Sequence, residues 1–368
     1  MNSSEITGGI IKDPAFAPYI PVVRVIPERE GQYVPFPADL NPRLLAACRS
    51  RGLNSLYSHQ AASYVSARTG GHTVIVTPTA SGKTLCYNLP VIQALLEDPN
   101  ARALYLFPTK ALSQDQQSEI NDLFGYFQNS AEQTPLRVCI YDGDTPQSVR
   151  ADARDKGRIV ISNPDMMHAG ILPNHTKWTH FFVNLKYIVI DEMHTYRGIF
   201  GSHMANLIRR IMRVADFYGS KPTFILCSAT IGNPAELAQK LIGAPVKLID
   251  ENGAPSGKKT IVLYNPPLID AVQGIRRGVI NESQRWALAF LRKNVKTILF
   301  AHSRIKTEVI ASYINDSLEN MYTGNEGITV VPYRGGLLPL ERRTIEKGLR
   351  EGTIQGLFPQ MRLSWALT

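Results

Sequence analysis

The chain has 368 residues, 44% of them hydrophobic and 19% charged, which excludes a disordered chain and leaves room for two domains with real cores. With 40 Lys plus Arg against 31 Asp plus Glu, the net charge of +9 favours polyanionic partners such as nucleic acid; an acidic membrane surface and an ordinary basic enzyme are the other readings. Cys48, Cys86, Cys139 and Cys227 form no CxxC pair, so neither a zinc knuckle nor a disulfide framework is expected, and reduced thiols fit a cytoplasmic location. No basic-then-apolar leader follows Met1 and no apolar run reaches the length of a membrane span, so no membrane association is expected.

Residues 1–40 hold Pro14, Pro18, Pro21, Pro27, Pro35 and Pro37, and read either as an extended arm docked on a domain or as a flexible leader. Asn41 and Pro42 open a helix that runs to Ser50, and Gly52 ends it. The run Leu56-Tyr57-Ser58-His59-Gln60 leads into a second helical stretch. From residue 72 the pattern alternates. Strands are expected at 72–76, 103–107, 136–141, 158–161, 185–190 and 223–227, with helices between them, among them 111–127 and 202–218. Short, apolar, β-branched strands suit a parallel sheet covered on both faces. The predicted fold class is therefore α/β, with a doubly wound domain over 41–250.

Residues 251–257, Glu-Asn-Gly-Ala-Pro-Ser-Gly, have a linker composition. A second alternation over 258–358 places strands at 260–264, 296–301, 328–333 and from 353, with helices at 284–294, 304–318 and 338–350. The two halves look like two copies of one type of domain, the second incomplete.

Thr77-Pro78-Thr79-Ala80-Ser81-Gly82-Lys83-Thr84 lies between an expected strand and an expected helix, the context of a phosphate-binding loop. Its backbone N–H groups and the helix dipole would meet phosphate oxygens. Lys83 would reach the β/γ-phosphates and the Thr84 hydroxyl would hold Mg2+. Thr77 stands where the usual pattern has glycine; a Gly-Lys-Thr turn capping an ordinary helix is the plainer alternative. Asp191-Glu192-Met193-His194 ends an apolar strand. Asp191 would bind Mg2+ and Glu192 would orient and deprotonate an attacking water; a strand end capped by solvated acids is the alternative. This loop, Pro108-Thr109, Asp191-Glu192 and Ser228-Ala229-Thr230 all fall at carboxyl ends of expected strands, where ligands bind in such sheets.

Over residues 50–358 this set resembles the superfamily 2 helicases of the DEAD/DEAH type, whose two RecA-like domains hydrolyse ATP. Thr77–Thr84 corresponds to motif I, Asp191–His194 to motif II in a DExH form, and Ser228–Thr230 to motif III. Thr195-Tyr196-Arg197-Gly198-Ile199-Phe200-Gly201-Ser202-His203, with Tyr333-Arg334-Gly335-Gly336, is similar to the bacterial MrfA/YprA branch. Thr77 and Met193 depart from the usual residues, and neither side chain supplies chemistry. The resemblance implies ATP and Mg2+ as cofactors, single-stranded or partly duplex DNA as partner, and a 3′→5′ translocase in DNA repair. It implies catalytic roles for Lys83, Asp191, Glu192, His194, Ser228 and Thr230.

The resemblance also assigns Gln60 to the adenine edge, while a solvated glutamine at a helix start fits Gln60 equally. Pro108 and Thr109, Gly143, Asn163, Pro164 and Asp165, and in the second domain Ser303, Arg304, Arg334 and Gly335 are implied to contact the strand backbone; several are turn residues in any case. Such contacts are independent of base sequence and sensitive to salt. Arg209, Arg210 and Arg213 fit either a nucleic-acid face or, more simply, the solvated face of an amphipathic helix whose apolar side is Met204, Leu207, Ile208 and Ile211. Trp178 and Phe181 fit core packing, and His168, His175 and His180 lack metal-site spacing.

Helicases of this type also use motifs V and VI. In this branch motif V reads approximately Ala-Thr-Asn-Ala-Leu-Glu-Leu-Gly-Ile-Asp. Residues 359–368 read Pro-Gln-Met-Arg-Leu-Ser-Trp-Ala-Leu-Thr, the peptide that one choice of codons for that motif gives when read one base later. A frameshifted tail and a chain truncated before motifs V and VI are therefore expected. A catalytically defective fragment that binds ATP or nucleic acid, or an RNA helicase, is the alternative function.

Overall fold

A computed structural model describes residues 3–125, 136–319, 328–334 and 336–360. The chain divides into two compact units, Glu30–Ser256 and the combination of Met1–Arg29 with Gly257–Thr368.

Glu30–Ser256 is built on a seven-stranded sheet in which every neighbouring pair is parallel. Across the sheet the strands are Lys247–Ile249, Thr73–Val76, Thr223–Ser228, Leu185–Ile190, Arg102–Leu106, Ile159–Ser162 and Val138–Ile140. The six expected strands are all present. Lys247–Ile249, which pairs beside Thr73–Val76, was not expected.

Strand side chains alternate between faces, and both faces of this sheet are core. Ile75, Ala103, Tyr105, Val189, Ile225 and Cys227 pack under helices Ser58–Arg68, Lys83–Glu97 and Lys110–Gly125. Their neighbours Val74, Val76, Leu104, Leu106, Ile188, Ile190 and Leu226 pack under Gly198–Phe217 and Pro234–Ile242. Each such side chain stabilises by about 1.5–3 kcal/mol when buried, so two-sided burial explains why these strands are apolar throughout. In Gly198–Phe217, Met204, Leu207, Ile208 and Ile211 are buried while Arg209 and Arg213 are exposed. Trp178 and Phe181 lie in the same core.

Helix Lys83–Glu97 carries Pro90 in its interior. Proline lacks the N–H that would reach the carbonyl four residues back. That carbonyl, on Cys86, instead accepts the Ser63 hydroxyl at 2.9 Å.

In the other unit, Thr297–Ile298, Gly356–Pro359 and Val330–Tyr333 form a parallel sheet with Gly356–Pro359 in the middle. Helices Val279–Leu291 and Arg304–Glu319 supply Leu291, Ile310, Ile314 and Leu318 to a core shared with Val330 and Phe358. The strand expected at 260–264 exists as Lys259–Leu263, but it is not in this sheet. It pairs antiparallel with Val22–Ile26, a pairing between distant segments that leaves no local mark in sequence. Ser3–Lys12 is a helix, and Ile6, Ile10 and Phe16 pack against Trp286 and Phe290. Of the expected shifted tail, Pro359 continues the central strand and Gln360 bridges Ala301; residues 361–368 lie outside the described residues. No described helix is long and apolar enough to cross a membrane.

Candidate active site

Because the strands of the large sheet run parallel, their carboxyl ends share one edge. The segments 77–84, 108–110, 141–145, 163–165, 191–194 and 228–230 each follow one of these strands, so all reach that edge.

The 77–84 loop is held from inside. Thr77 and Ser81 are buried, with their hydroxyls 2.6 Å apart. Pro78, Thr79 and Ala80 are exposed. Ala80 and Gly82 are left-handed, at φ 60° and 76°. Glycine suits the positive φ at 82, and a Cβ there would come 2.6 Å from Gln60 Nε2 and displace that amide. Gly82 caps helix Lys83–Glu97 without a side-chain hydrogen bond, which leaves first-turn N–H groups facing the loop. The Lys83 ammonium donates to the carbonyls of Thr77 at 2.8 Å and Pro78 at 3.1 Å.

Two consecutive side chains of the preceding helix grip this loop. Gln60 Nε2 donates to the Gly82 carbonyl at 3.0 Å, and its Oε1 accepts the Tyr57 N–H at 2.9 Å. Gln60 is 4% exposed, and both ends of the amide that the resemblance assigns to adenine are engaged within the protein. His59 reaches the Ser81 carbonyl at 3.0 Å. Sequence alone gives His59 no role, although it stands beside Gln60; that adjacency is its only signal.

Asp191 and Glu192 follow Leu185–Ile190, two strands from the phosphate loop. Glu192 is left-handed at φ 50°, ψ 41°, a conformation that costs a non-glycine residue about 1–2 kcal/mol and turns the chain sharply off the strand. Its N–H donates to Asp191 Oδ1 at 2.7 Å. The Tyr87 hydroxyl lies 2.9 Å from Gln116 Oε1 and 3.3 Å from Asp191 Oδ2, so a buried phenol stands beside one of the groups expected to hold a metal. Burial, aided by the neighbouring Glu192 charge, pushes the Asp191 carboxyl up to about 6, while Lys83 pulls it down. Burial also raises Glu192, again against Lys83. The lysine thus faces both acids electrostatically. Among the described residues no cluster of three or more His, Cys, Asp or Glu is placed to hold a metal.

His194 Nδ1 lies 3.1 Å from Glu192 Oε2 and 3.3 Å from the Ala229 N–H. Burial, with the charges of Arg197 and Lys83, lowers its pKa. Ser228 is buried, its hydroxyl bonded to the Ala229 carbonyl at 2.8 Å, and Thr230 is exposed. The adjacent strands Leu185–Ile190 and Thr223–Ser228 therefore join their terminal loops through His194.

The outer loops are braced to one another. Lys110 pairs with Asp144 at 2.5 Å. Asp142 accepts the Asp144 N–H at 2.9 Å, leaving Gly143 exposed on open space. Pro108 is half-buried and Thr109 exposed at the start of Lys110–Gly125. Asn163 caps the next turn through the Met166 N–H at 2.8 Å; Pro164 is buried and Asp165 exposed. In the other unit Ser303 Oγ accepts the Lys306 N–H at 3.2 Å, Arg304 is exposed, and Arg334 pairs with Glu308. Gly335 lies outside the described residues.

A sheet of this order, with a phosphate loop and a strand-end acid pair at one edge, is RecA-like. Residues 57–237 match the family model described as DEAD/DEAH box helicase, so the chain carries a DEAD/DEAH helicase domain. The ATP-dependent helicase YprA of Bacillus subtilis is 51% identical over 90% of this chain and 43% of its own length. The ATP-dependent helicase hrq1 of Schizosaccharomyces pombe is 37% identical over 90% of this chain and 31% of its own length. A crystal structure of the DUF1998 helicase MrfA bound to DNA superposes with a TM-score of 0.92 at 46% identity, covering 100% of this chain and 47% of that one. MrfA bound to DNA and AMPPNP gives 0.90 at 47% identity, over 98% and 48%. The chain thus spans less than half the length of these relatives.

Proposed function

We propose that this chain forms the nucleotide-binding part of an ATP-dependent DNA helicase that translocates 3′→5′ and serves DNA repair. The observation that carries the reading is the convergence of Lys83, Asp191 and Glu192 beside the cradle of residues 77–84. The polarity and the repair role rest on the likeness to the MrfA/YprA branch. DNA as partner is supported by the DNA-bound MrfA structures.

In this reading the loop N–H groups and Lys83 hold the phosphates, Lys83 leaving the Thr77 and Pro78 carbonyls to do so. Thr84 and Asp191 would hold Mg2+; a hydroxyl and one carboxylate fit an ion that keeps few protein ligands and takes the rest from phosphate and water. When bound, the ion supplies charge that offsets the negative charge on the phosphates. Glu192 orients the attacking water and accepts its proton, a task that a carboxyl raised by burial suits. His194 stands between Glu192 and the 228–230 loop, where its Nδ1 accepts the Ala229 N–H and so positions that loop beside the acid. Pro108, Thr109, Gly143, Asn163, Pro164 and Asp165, and separately in the other unit Ser303, Arg304, Arg334 and Gly335, are each proposed to contact the strand backbone.

Binding is the first readout, since the chain spans less than half of its relatives. A fluorescent ADP with Mg2+ is titrated into the chain and into Lys83→Ala. Charge-assisted hydrogen bonds contribute about 1.5–3 kcal/mol, so the variant should bind about 10- to 100-fold more weakly. Equal binding by both overturns the proposed site. Single-stranded DNA and RNA of one length, compared over a salt series, then test the partner: a steep salt slope is expected, with DNA preferred.

A further inference from the structure

The 251–257 linker and the phosphate loop meet at one side chain. His59 is 1% exposed and stacks on Tyr57, with ring centroids 5.8 Å apart at 14°. Its Nδ1 accepts the Gly253 N–H at 3.2 Å, so that nitrogen presents a lone pair. The proton of the neutral ring is then on Nε2, which stands 3.0 Å from the Ser81 carbonyl. A carbonyl only accepts, so Nε2 donates. An imidazolium would hold protons on both nitrogens and lose the Gly253 bond.

Gly253 is fixed from its other side too. Its carbonyl accepts the Gln32 N–H at 2.8 Å, and the Gln32 carbonyl accepts the Ser58 N–H at 3.0 Å. A Cβ on Gly253 would come 2.2 Å from Ser58 Oγ and 2.8 Å from Ser58 N. The linker therefore lies directly on the start of helix Ser58–Arg68 before the chain enters the other unit at Gly257.

We infer that His59 is a positioning residue that couples the linker at Gly253 to the phosphate loop at Ser81. Ordering of the loop by nucleotide phosphates tightens Gly253, and displacement of Gly253 loosens Ser81. The inference rests on reading the loop as the nucleotide site. Gln60 holds the neighbouring carbonyl but ends on Tyr57, so it provides no such path to the linker.

Hydrogen exchange of the Gly253 amide, measured on the 368-residue chain with and without ADP and Mg2+, tests this. In the wild type, ADP should slow exchange by about three- to tenfold, the effect of strengthening one hydrogen bond. In His59→Gln the side-chain amide can still donate to Ser81 but leaves Gly253 without its acceptor. That variant should bind ADP at most a few-fold more weakly than the wild type and lose the nucleotide-dependent slowing. His59→Asn keeps an acceptor for Gly253 and loses the donor to Ser81. It should protect Gly253 without ADP, bind ADP several-fold more weakly, and show no further slowing. If the wild type binds ADP while Gly253 exchange stays constant, or if both variants keep the slowing, the coupling is overturned and the nucleotide site stands. If the wild type binds no ADP, the nucleotide reading falls and takes the coupling with it.

Discussion

Glu192 and His194 stand 3.1 Å apart on the far side of a left-handed turn, and the same imidazole nitrogen faces the Ala229 N–H at 3.3 Å. Positioned general bases contribute roughly 10²–10⁴-fold to rate. Glu192→Gln should therefore lower ATP turnover by about that factor while leaving ADP affinity within about twofold. His194→Ala should lower turnover less and remove most of its stimulation by DNA, because the path to the 228–230 loop is cut. Steady-state hydrolysis with and without DNA, beside ADP titrations, checks both; loss of ADP affinity in either variant would contradict these roles.

Ser63 and Pro90 form a compensated pair. Ser63→Ala leaves the buried Cys86 carbonyl without a donor and should cost about 1–3 kcal/mol in urea denaturation. Pro90→Ala restores the N–H that would reach this carbonyl along the helix. In the double variant the Ser63→Ala penalty should shrink, and a strictly additive cycle would show that the hydroxyl does not serve the carbonyl.

The Tyr196 hydroxyl is buried and has no hydrogen-bond partner among the described residues, although the ring packs in the core against Phe200. Tyr196→Phe removes only that oxygen. The thermal midpoint should stay or rise, by up to about 1 kcal/mol of stability. A clear fall would mean that the hydroxyl holds an ordered water.

Glu282 is 2% exposed and takes hydrogen bonds from Tyr264, Arg277 and Arg285. Burial alone would raise its carboxyl, but those bonds outweigh it and hold the group below the usual range. A carboxylate depressed on folding stabilises fully above its unfolded pKa, about 4.3. The contribution fades as pH falls from there through the lower folded value. Urea midpoints between neutral pH and pH 3 should drop in this acid range, with a shallower drop in Glu282→Gln. Parallel pH curves would exclude the linkage.

The large sheet was legible because both of its faces are core: six strands announce themselves as apolar, β-branched runs. Lys247–Ile249 was not, being a three-residue edge strand with one buried position. The fate of Lys259–Leu263 was hidden for another reason, since its partner Val22–Ile26 lies at the opposite end of the chain. Phosphate loop and acid pair were visible as spacing between strand and helix. What sequence could not supply was how the loop is restrained. Thr77 looked like a mere departure from glycine, and its hydroxyl turns out to meet Ser81. His59 looked like a neighbour of Gln60, and its two nitrogens turn out to face backbone groups far apart in the chain.

The paired grip of His59 and Gln60 on the carbonyls of Ser81 and Gly82 has a thermodynamic consequence. Fixing one residue's backbone costs about 1–2 kcal/mol of conformational entropy. Folding of the Glu30–Ser256 unit has already absorbed that loss for the two residues before Lys83. In the proposed function, a phosphate arriving at the loop meets amides that are already aimed, so its binding free energy is not drained by freezing those two peptides. Affinity at this loop is written into stability: a substitution that loosens the start of helix Ser58–Arg68 weakens the ligand without touching it.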